Sequence, residues 1–167
     1  MDIQPVGNGA IAAIGQALDA ARAPASNPLV RSLQQGRQHA AAQGLSFARQ
    51  SLETALTGAN LIALVGGDGR AVLAQARDAV VTADQSVRSL RDGILDAVAQ
   101  GDTPVAAARG QLRGLGLAVI GLRGLAEAII NSPSTARVGW FDPARKRPVA
   151  TIRAALDDMA RAVNLTI

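Results

Sequence analysis

The chain has 167 residues, of which 49% are hydrophobic, enough for one domain with a sizeable core. Only 2% are aromatic, so the core must form between long, closely packed helices and not around large side chains. The absence of cysteine excludes disulfides and cysteine metal sites, and a net charge of +4 is too small to indicate nucleic-acid binding by itself.

The first predicted helix spans residues 8–22, ends before Pro24, and is not typical of a cleaved signal peptide because no basic region precedes it. Its apolar residues recur at steps of three and four: Ile11, Ile14, Leu18 and Ala21. A second helix is predicted to begin near Asn27. The stretch VGGDGR at 65–70 lacks the Gly-Lys-Ser/Thr ending of a phosphate loop, so it indicates a turn between helices.

Two further stripes flank the break QGDTP at 100–104, and both keep the rhythm of a coiled-coil seam. Gly101 suits the left-handed end of a helix, Asp102 or Thr103 suits the cap of the next, and Pro104 suits its first turn. Because the connection is short, the two helices should be antiparallel neighbours. The sequence therefore predicts an all-α fold, an elongated antiparallel helical bundle built on a coiled-coil hairpin at 70–131. Favourable i,i+4 ion pairs are expected from Arg88 to Asp84 and to Asp92.

The second helix of that hairpin contains five glycines, each of which costs about 1 kcal/mol relative to alanine in a helix interior: Gly110, Gly114, Gly116, Gly121 and Gly124. Close helix–helix approach within the monomer explains them, as does a surface that orders against neighbouring copies. A second apolar strip favours the latter interpretation, because a helix with two apolar faces needs two partners. Its residues, the first candidate assembly contacts, are Leu117, Ile120 and Leu125.

Residues 132–147 are predicted to form an irregular loop before a terminal helix at 148–163. Trp140 and Phe141 in this loop are interpreted as a hydrophobic plug on the hairpin or as an intersubunit contact. The densest basic cluster follows them and is the candidate anion-binding site: Arg145, Lys146 and Arg147.

No catalytic, cofactor or metal site is predicted. His39 is the only histidine and has no carboxylate near it in sequence, while Asp157 and Asp158 are adjacent and so point in different directions on a helix. No apolar run is long enough for a membrane span.

The order of elements resembles the N-terminal helical region of bacterial flagellins. LQQGRQHAAAQGLSFARQ (33–50), LDAVAQGDT (95–103) and RVGWF (137–141) stand where that family has phrases of the types GLR…DDAAGLAI, LAVQAANGT and F-N-G. Arg37, Gln38 and His39 replace the family's acidic phrase. The resemblance implies a filament subunit whose segments 8–22 and 148–167 pack together. It also implies export through a dedicated channel without a cleaved signal, to an extracellular filament.

These patterns favour a non-catalytic structural subunit that assembles with copies of itself or with other helical subunits. The alternative is a basic helical adaptor, a cytoplasmic or virion component that binds nucleic acid or another anionic surface through the cluster at 145–147.

Overall fold

A computed structural model describes residues 28–164, and the predicted helix at 8–22 lies outside this range. Within it the chain forms five α-helices and no strand, which confirms the all-α class. They are α1 (Pro28–Leu64), α2 (Arg70–Ala99), α3 (Val105–Ile130), α4 (Pro133–Ala136) and α5 (Pro143–Val163).

Helices α1 and α2 form an antiparallel pair, and α1, with 37 residues, is about 55 Å long. The Gln38 amide donates to the Ser89 carbonyl at 3.3 Å, and the Gln75 amide donates to the Ser51 carbonyl at 3.4 Å. Residue numbers therefore rise along one helix as they fall along the other. The turn between them is the one predicted at 65–70, and Gly66 adopts a left-handed φ of 77° in it.

The break between α2 and α3 is only partly as predicted. Gly101 does adopt a left-handed φ of 77°, and its N–H donates to the Val98 carbonyl at 3.0 Å. Neither Asp102 nor Thr103 caps α3, because Pro104 occupies the cap position and makes no side-chain hydrogen bond there. The backbone N–H groups of Asp102 and Thr103 instead donate to the carbonyl of Ala97 and close the end of α2.

Helix α5 runs parallel to α2 and antiparallel to α3. Its parallel course follows from Asp142, which pairs with Arg70 at 2.8 Å, and Asp158, which pairs with Arg88 at 3.4 Å. Two ion pairs tie it to α3 in the opposite sense: Arg123 with Asp157, and Glu127 with Arg153. The bundle is thus not antiparallel throughout.

The expected pair of Asp84 and Arg88 forms at 2.6 Å, and its hydrogen bond raises the pKa of the Arg88 guanidinium above its ordinary value. The expected pair of Arg88 with Asp92 does not form. Arg88 reaches across to Asp158 on α5, and Asp92 pairs with Arg91 at 2.7 Å.

The hydrophobic core surrounds α2, which packs most extensively against α1 and α5 and less against α3. The core therefore extends beyond the hairpin predicted at 70–131. Alanines occupy many of its fully buried positions and allow close helix approach, and the larger side chains fill the gaps between them. The largest apolar members are Leu52, Leu73, Ile129, Ile130, Ile152, Leu156 and Met159.

Candidate interaction surfaces

The segment predicted as an irregular loop at 132–147 contains α4 and the first turn of α5, so this prediction was wrong. Ser132 caps α4 by accepting from the Thr135 N–H at 3.4 Å, and Asp142 caps α5 by accepting from the Ala144 N–H at 2.9 Å. A proline follows each cap at the start of the helix. Both Ser-Pro and Asp-Pro are typical helix starts, and α5 consequently begins at Pro143 and not at 148.

Arg145 is buried inside this segment, with 4% of its surface exposed. Its guanidinium donates to the carbonyls of Thr135 at 3.4 Å and Val138 at 3.1 Å, while its buried Nε has no hydrogen-bond partner among residues 28–164. Lys146 and Arg147 lie exposed on the first turn of α5. The predicted anion-binding cluster is therefore divided: Arg145 stabilises the local fold, and only its two neighbours are open to a ligand.

Trp140 and Phe141 face outward, with 70% and 90% of their surfaces exposed. The interpretation of this pair as a plug packed on the hairpin is therefore wrong. Trp140 lies over the guanidinium of Arg145, whose central carbon is 3.8 Å from the ring centre. This cation–π contact fixes one face of the indole and leaves the other open.

Further exposed apolar residues lie at the same end of the bundle, where α1 ends. Arg137 donates to the carbonyls of Ala63 at 3.2 Å and Gly67 at 3.1 Å, and thereby ties the loop before α5 to the turn after α1. The pair of Arg70 with Asp142 makes a second tie. We call the exposed apolar residues on these two joined segments the end patch: Leu61, Leu64, Val65, Trp140 and Phe141.

The sequence pattern pointed to only the two aromatic members of the end patch. The end of α1 is apolar and includes Leu61 and Leu64, with Val65 directly after it. Sequence alone does not distinguish an apolar helix end that packs inside the bundle from one that remains exposed. One sequence signal could have indicated their exposure. Leu61 and Leu64 do not continue the buried stripe of α1, which runs through Leu52, Ala55 and Ala59.

A second exposed apolar surface runs along α3. Leu117 and Ile120 are 64% and 65% exposed, whereas Leu125 packs partly buried against the core, so the three predicted contacts do not share one surface. A Cβ built on any of four glycines would meet no described atom within 4 Å. Close approach within the described bundle therefore does not explain these glycines. With the two exposed residues they define the outer face of α3: Gly110, Gly114, Leu117, Ile120, Gly121 and Gly124.

A groove of about 1020 Å³ lies between the first half of α1 and the last half of α2. Arg31 and Arg37 line it from α1, and three carboxylates line it from α2 and the turn that follows: Asp92, Asp96 and Asp102. Across residues 28–164, no three His, Cys, Asp or Glu side chains are grouped closely enough to hold a metal ion. His39 lies exposed on α1.

None of the helices between residues 28 and 164 combines the length and apolar content needed to cross a membrane. No protein-family model matches the chain, and comparisons with curated proteins and with solved structures give no match. The resemblance to flagellins therefore depends on the sequence pattern alone.

Proposed function

We propose that this chain is a structural, non-catalytic subunit that associates with copies of itself, and that the end patch carries the contact. The observation behind the proposal is the exposure of five large apolar side chains, each 59–90% exposed, at one end of the bundle. Apolar clusters of this kind on otherwise well-packed proteins are typical of interaction sites.

The composition of the end patch supports a contact surface. The chain has only three aromatic residues, one Trp and two Phe, and two of the three lie here. Trp is among the residues most enriched at the energetic centres of protein interfaces. Leaving both side chains in water is unfavourable, and burial against a partner removes that penalty.

The frame beneath the patch supports the same proposal. Arg145 holds the indole from below, and Arg137 bonds the loop to the turn after α1. Asp142 fixes the start of α5 directly after Phe141. A surface held in place before binding loses little conformational entropy on association, which favours affinity.

The geometry of association determines the form of the assembly. End patches that meet each other produce a closed two-fold dimer, whereas an end patch that meets a different surface of the next copy produces an open chain of subunits. A flagellin-like filament is the open form of this proposal. Its support is the order of sequence elements, and electron microscopy distinguishes it from the closed dimer.

Light scattering after size exclusion, over a series of protein concentrations, tests the proposal together with electron microscopy of the same samples. We expect the mean mass of the unmodified chain to rise with concentration. Phe141→Ala should shift the midpoint of that rise about tenfold or more toward higher concentration, since truncating an interface centre costs at least about 1.4 kcal/mol. Phe47→Ala is the matched control, because Phe47 is also exposed but lies on α1 outside the end patch.

A mass equal to that of a single chain at every concentration would contradict self-association. Equal shifts from Phe141→Ala and Phe47→Ala would contradict the assignment of the contact to the end patch.

A further inference from the structure

We infer that the outer face of α3 binds a second copy of this chain, with the two α3 helices antiparallel about a two-fold axis at Leu117. This inference does not rest on the proposed function, because the end patch lies on other segments and its contact is a separate one.

The outer face of α3 has the spacing of a second coiled-coil seam, on the side of the helix away from the core. Leu117 and Ile120 are 64% and 65% exposed. Gly110 and Gly124 stand seven residues before and after Leu117, which is the heptad spacing of such a seam. Within about 60° of Leu117 around the helix, Arg113 is the only charged residue. None of the other helices between residues 28 and 164 fills the space beside the two glycines.

The face has the same residue types in both directions from Leu117. Beyond the two glycines, Ala106 and Ala128 are both exposed and lie eleven residues before and after Leu117. A two-fold contact requires such a surface, because each residue meets the position equally far from the axis on the other side in the second copy. A face that binds a different protein needs no such symmetry. The symmetry therefore favours a second copy as the occupant.

The two flanks of the face are also matched. At about 100° per residue, Gly114 and Gly121 lie about 60° and 40° to one side of Leu117. Arg113 and Ile120 lie about 40° and 60° to the other side. In the antiparallel pair, each residue lies beside the other member of its own flank in the second copy, at a level that differs by about 1.5 Å. The glycine flank lets the two backbones approach, and Ile120 packs on the aliphatic stem of Arg113.

The charges beyond these flanks are complementary. Arg109 and Glu127 both lie about 80° from Leu117 on the second flank, about 12 Å before it and about 15 Å after it along the axis. The antiparallel pair therefore brings Glu127 of each copy to the level of Arg109 of the other. Glu127 pairs with Arg153 at 3.4 Å through Oε1, and its side chain is 34% exposed, so Oε2 can accept from a second cation. A parallel pair would place Glu127 beside Leu125 without a cation, so the charges favour the antiparallel arrangement.

Disulfide trapping with single cysteines tests the contact in the full-length protein, because the chain has no native cysteine. Leu117→Cys places one thiol of each copy at the two-fold axis. Leu33→Cys is the matched control, since Leu33 is a leucine on α1 with 60% of its surface exposed. We expect Leu117→Cys to form disulfide-linked dimers about tenfold or more faster than Leu33→Cys at equal concentration, because docking raises the effective concentration of the two thiols.

The same rate advantage should remain when Phe141→Ala is added to both variants, since that change weakens only the end patch. Equal rates for the two cysteines would overturn the inference, as expected if another part of the chain or a different protein covers the face. Loss of the advantage with Phe141→Ala would also overturn it, because the cross-link would then depend on the end patch.

A mixture of Gly110→Cys with Gly124→Cys, one of them carrying an affinity tag, tests the direction of the helices. The antiparallel pair holds these two positions at the same level, about 10.5 Å from the axis. We expect mixed dimers to form about tenfold or more faster than dimers of either variant with itself. A statistical mixture, or an excess of like dimers, would overturn the inference.

Gly114→Leu tests the contact without a disulfide, in a Phe141→Ala background that weakens the end patch. The leucine blocks the approach of the two backbones, so the midpoint of dimer formation in light scattering should shift about tenfold or more toward higher concentration. The thermal midpoint of the monomer should rise by about 2–4 °C, because leucine is the better helix former and its Cβ meets no described atom. Gly36→Leu, at an exposed position of α1 with the same open space, should raise the thermal midpoint without shifting association. Equal association of the two variants would overturn the inference.

Discussion

Arg145 lies directly beneath Trp140, with its guanidinium carbon 3.8 Å from the centre of the indole ring. The cation is buried and the ring above it is mostly exposed. One side of the guanidinium bonds to backbone carbonyls of α4 and the following loop. A residue that the sequence assigns to anion binding therefore positions the largest exposed aromatic side chain of the protein.

Replacing Arg145 tests this structural role. Arg145→Ala should lower the free energy of unfolding by about 2–3 kcal/mol, because the carbonyls of Thr135 and Val138 lose a charged donor and remain buried. Lys146→Ala, one position along and exposed, should change it by no more than about 0.5 kcal/mol. Urea unfolding followed by circular dichroism measures both.

The fluorescence of Trp140 gives an independent reading, since the chain has one Trp and no Tyr. Loss of the cation beneath the ring should change the emission intensity of the folded Arg145→Ala protein but not that of Lys146→Ala. Equal effects of the two substitutions on stability and emission would contradict the role of Arg145.

The buried and exposed leucines of α1 allow a matched test of the core. Leu52 is fully buried between the helices, whereas Leu61 belongs to the exposed end patch on the same helix. Leu52→Ala should lower the free energy of unfolding by about 2–5 kcal/mol through lost burial and the cavity left behind. Leu61→Ala should lower it by no more than about 0.5 kcal/mol when measured below the association range. A large loss at Leu61 would show that the end of α1 packs inside the bundle.

Two glycines should respond in opposite directions to the same substitution. A Cβ at Gly69 would lie 2.8 Å from Thr135 Oγ1 and 2.9 Å from the Thr135 backbone N, and Ser132 holds Thr135 in place. Gly69→Ala should therefore cost about 1–3 kcal/mol of stability. Gly36 lies exposed on α1 with no described atom near its Cβ position, so Gly36→Ala should add up to about 1 kcal/mol through helix propensity. Thermal unfolding compares the two, and a stabilised Gly69→Ala would contradict the close contact between α4 and the start of α2.

Periodicity predicted the helices well because burial on one face imposes it directly. The stripe from Ala76 to Val87 on α2 and the stripe from Leu112 to Ile129 on α3 are both buried. The role of Gly101 was also predictable, because the left-handed backbone conformation at the end of a helix suits glycine best. These signals depend on near neighbours in the chain.

The partner of each helix was harder to predict, because an apolar stripe does not specify what covers it. The hairpin of α2 with α3 follows from its short turn, yet α2 packs more against α1 and α5. The burial of Arg145 was missed because it depends on tertiary contacts that the local sequence does not show. A run of three basic residues looks exposed in sequence, and only the carbonyls left by α4 turn the first of them inward.

Asp142 joins the starts of two parallel helices and has two separable roles. Its carboxylate caps α5 by accepting from the Ala144 N–H, and it pairs with Arg70 at the start of α2, where it raises the pKa of the Arg70 guanidinium. Asp142→Ala removes the cap and should lower the free energy of unfolding by about 1 kcal/mol. Asp142→Asn keeps a good capping group and loses only the partly exposed ion pair, so its stability should lie between those of Asp142→Ala and the unmodified chain. High salt should reduce the difference in unfolding free energy between Asp142→Asn and the unmodified chain, because salt screens the ion pair. The contribution of the helix cap to stability should remain. Urea unfolding at low and high salt measures both effects, and equal stability of the Asn and Ala variants would contradict the cap.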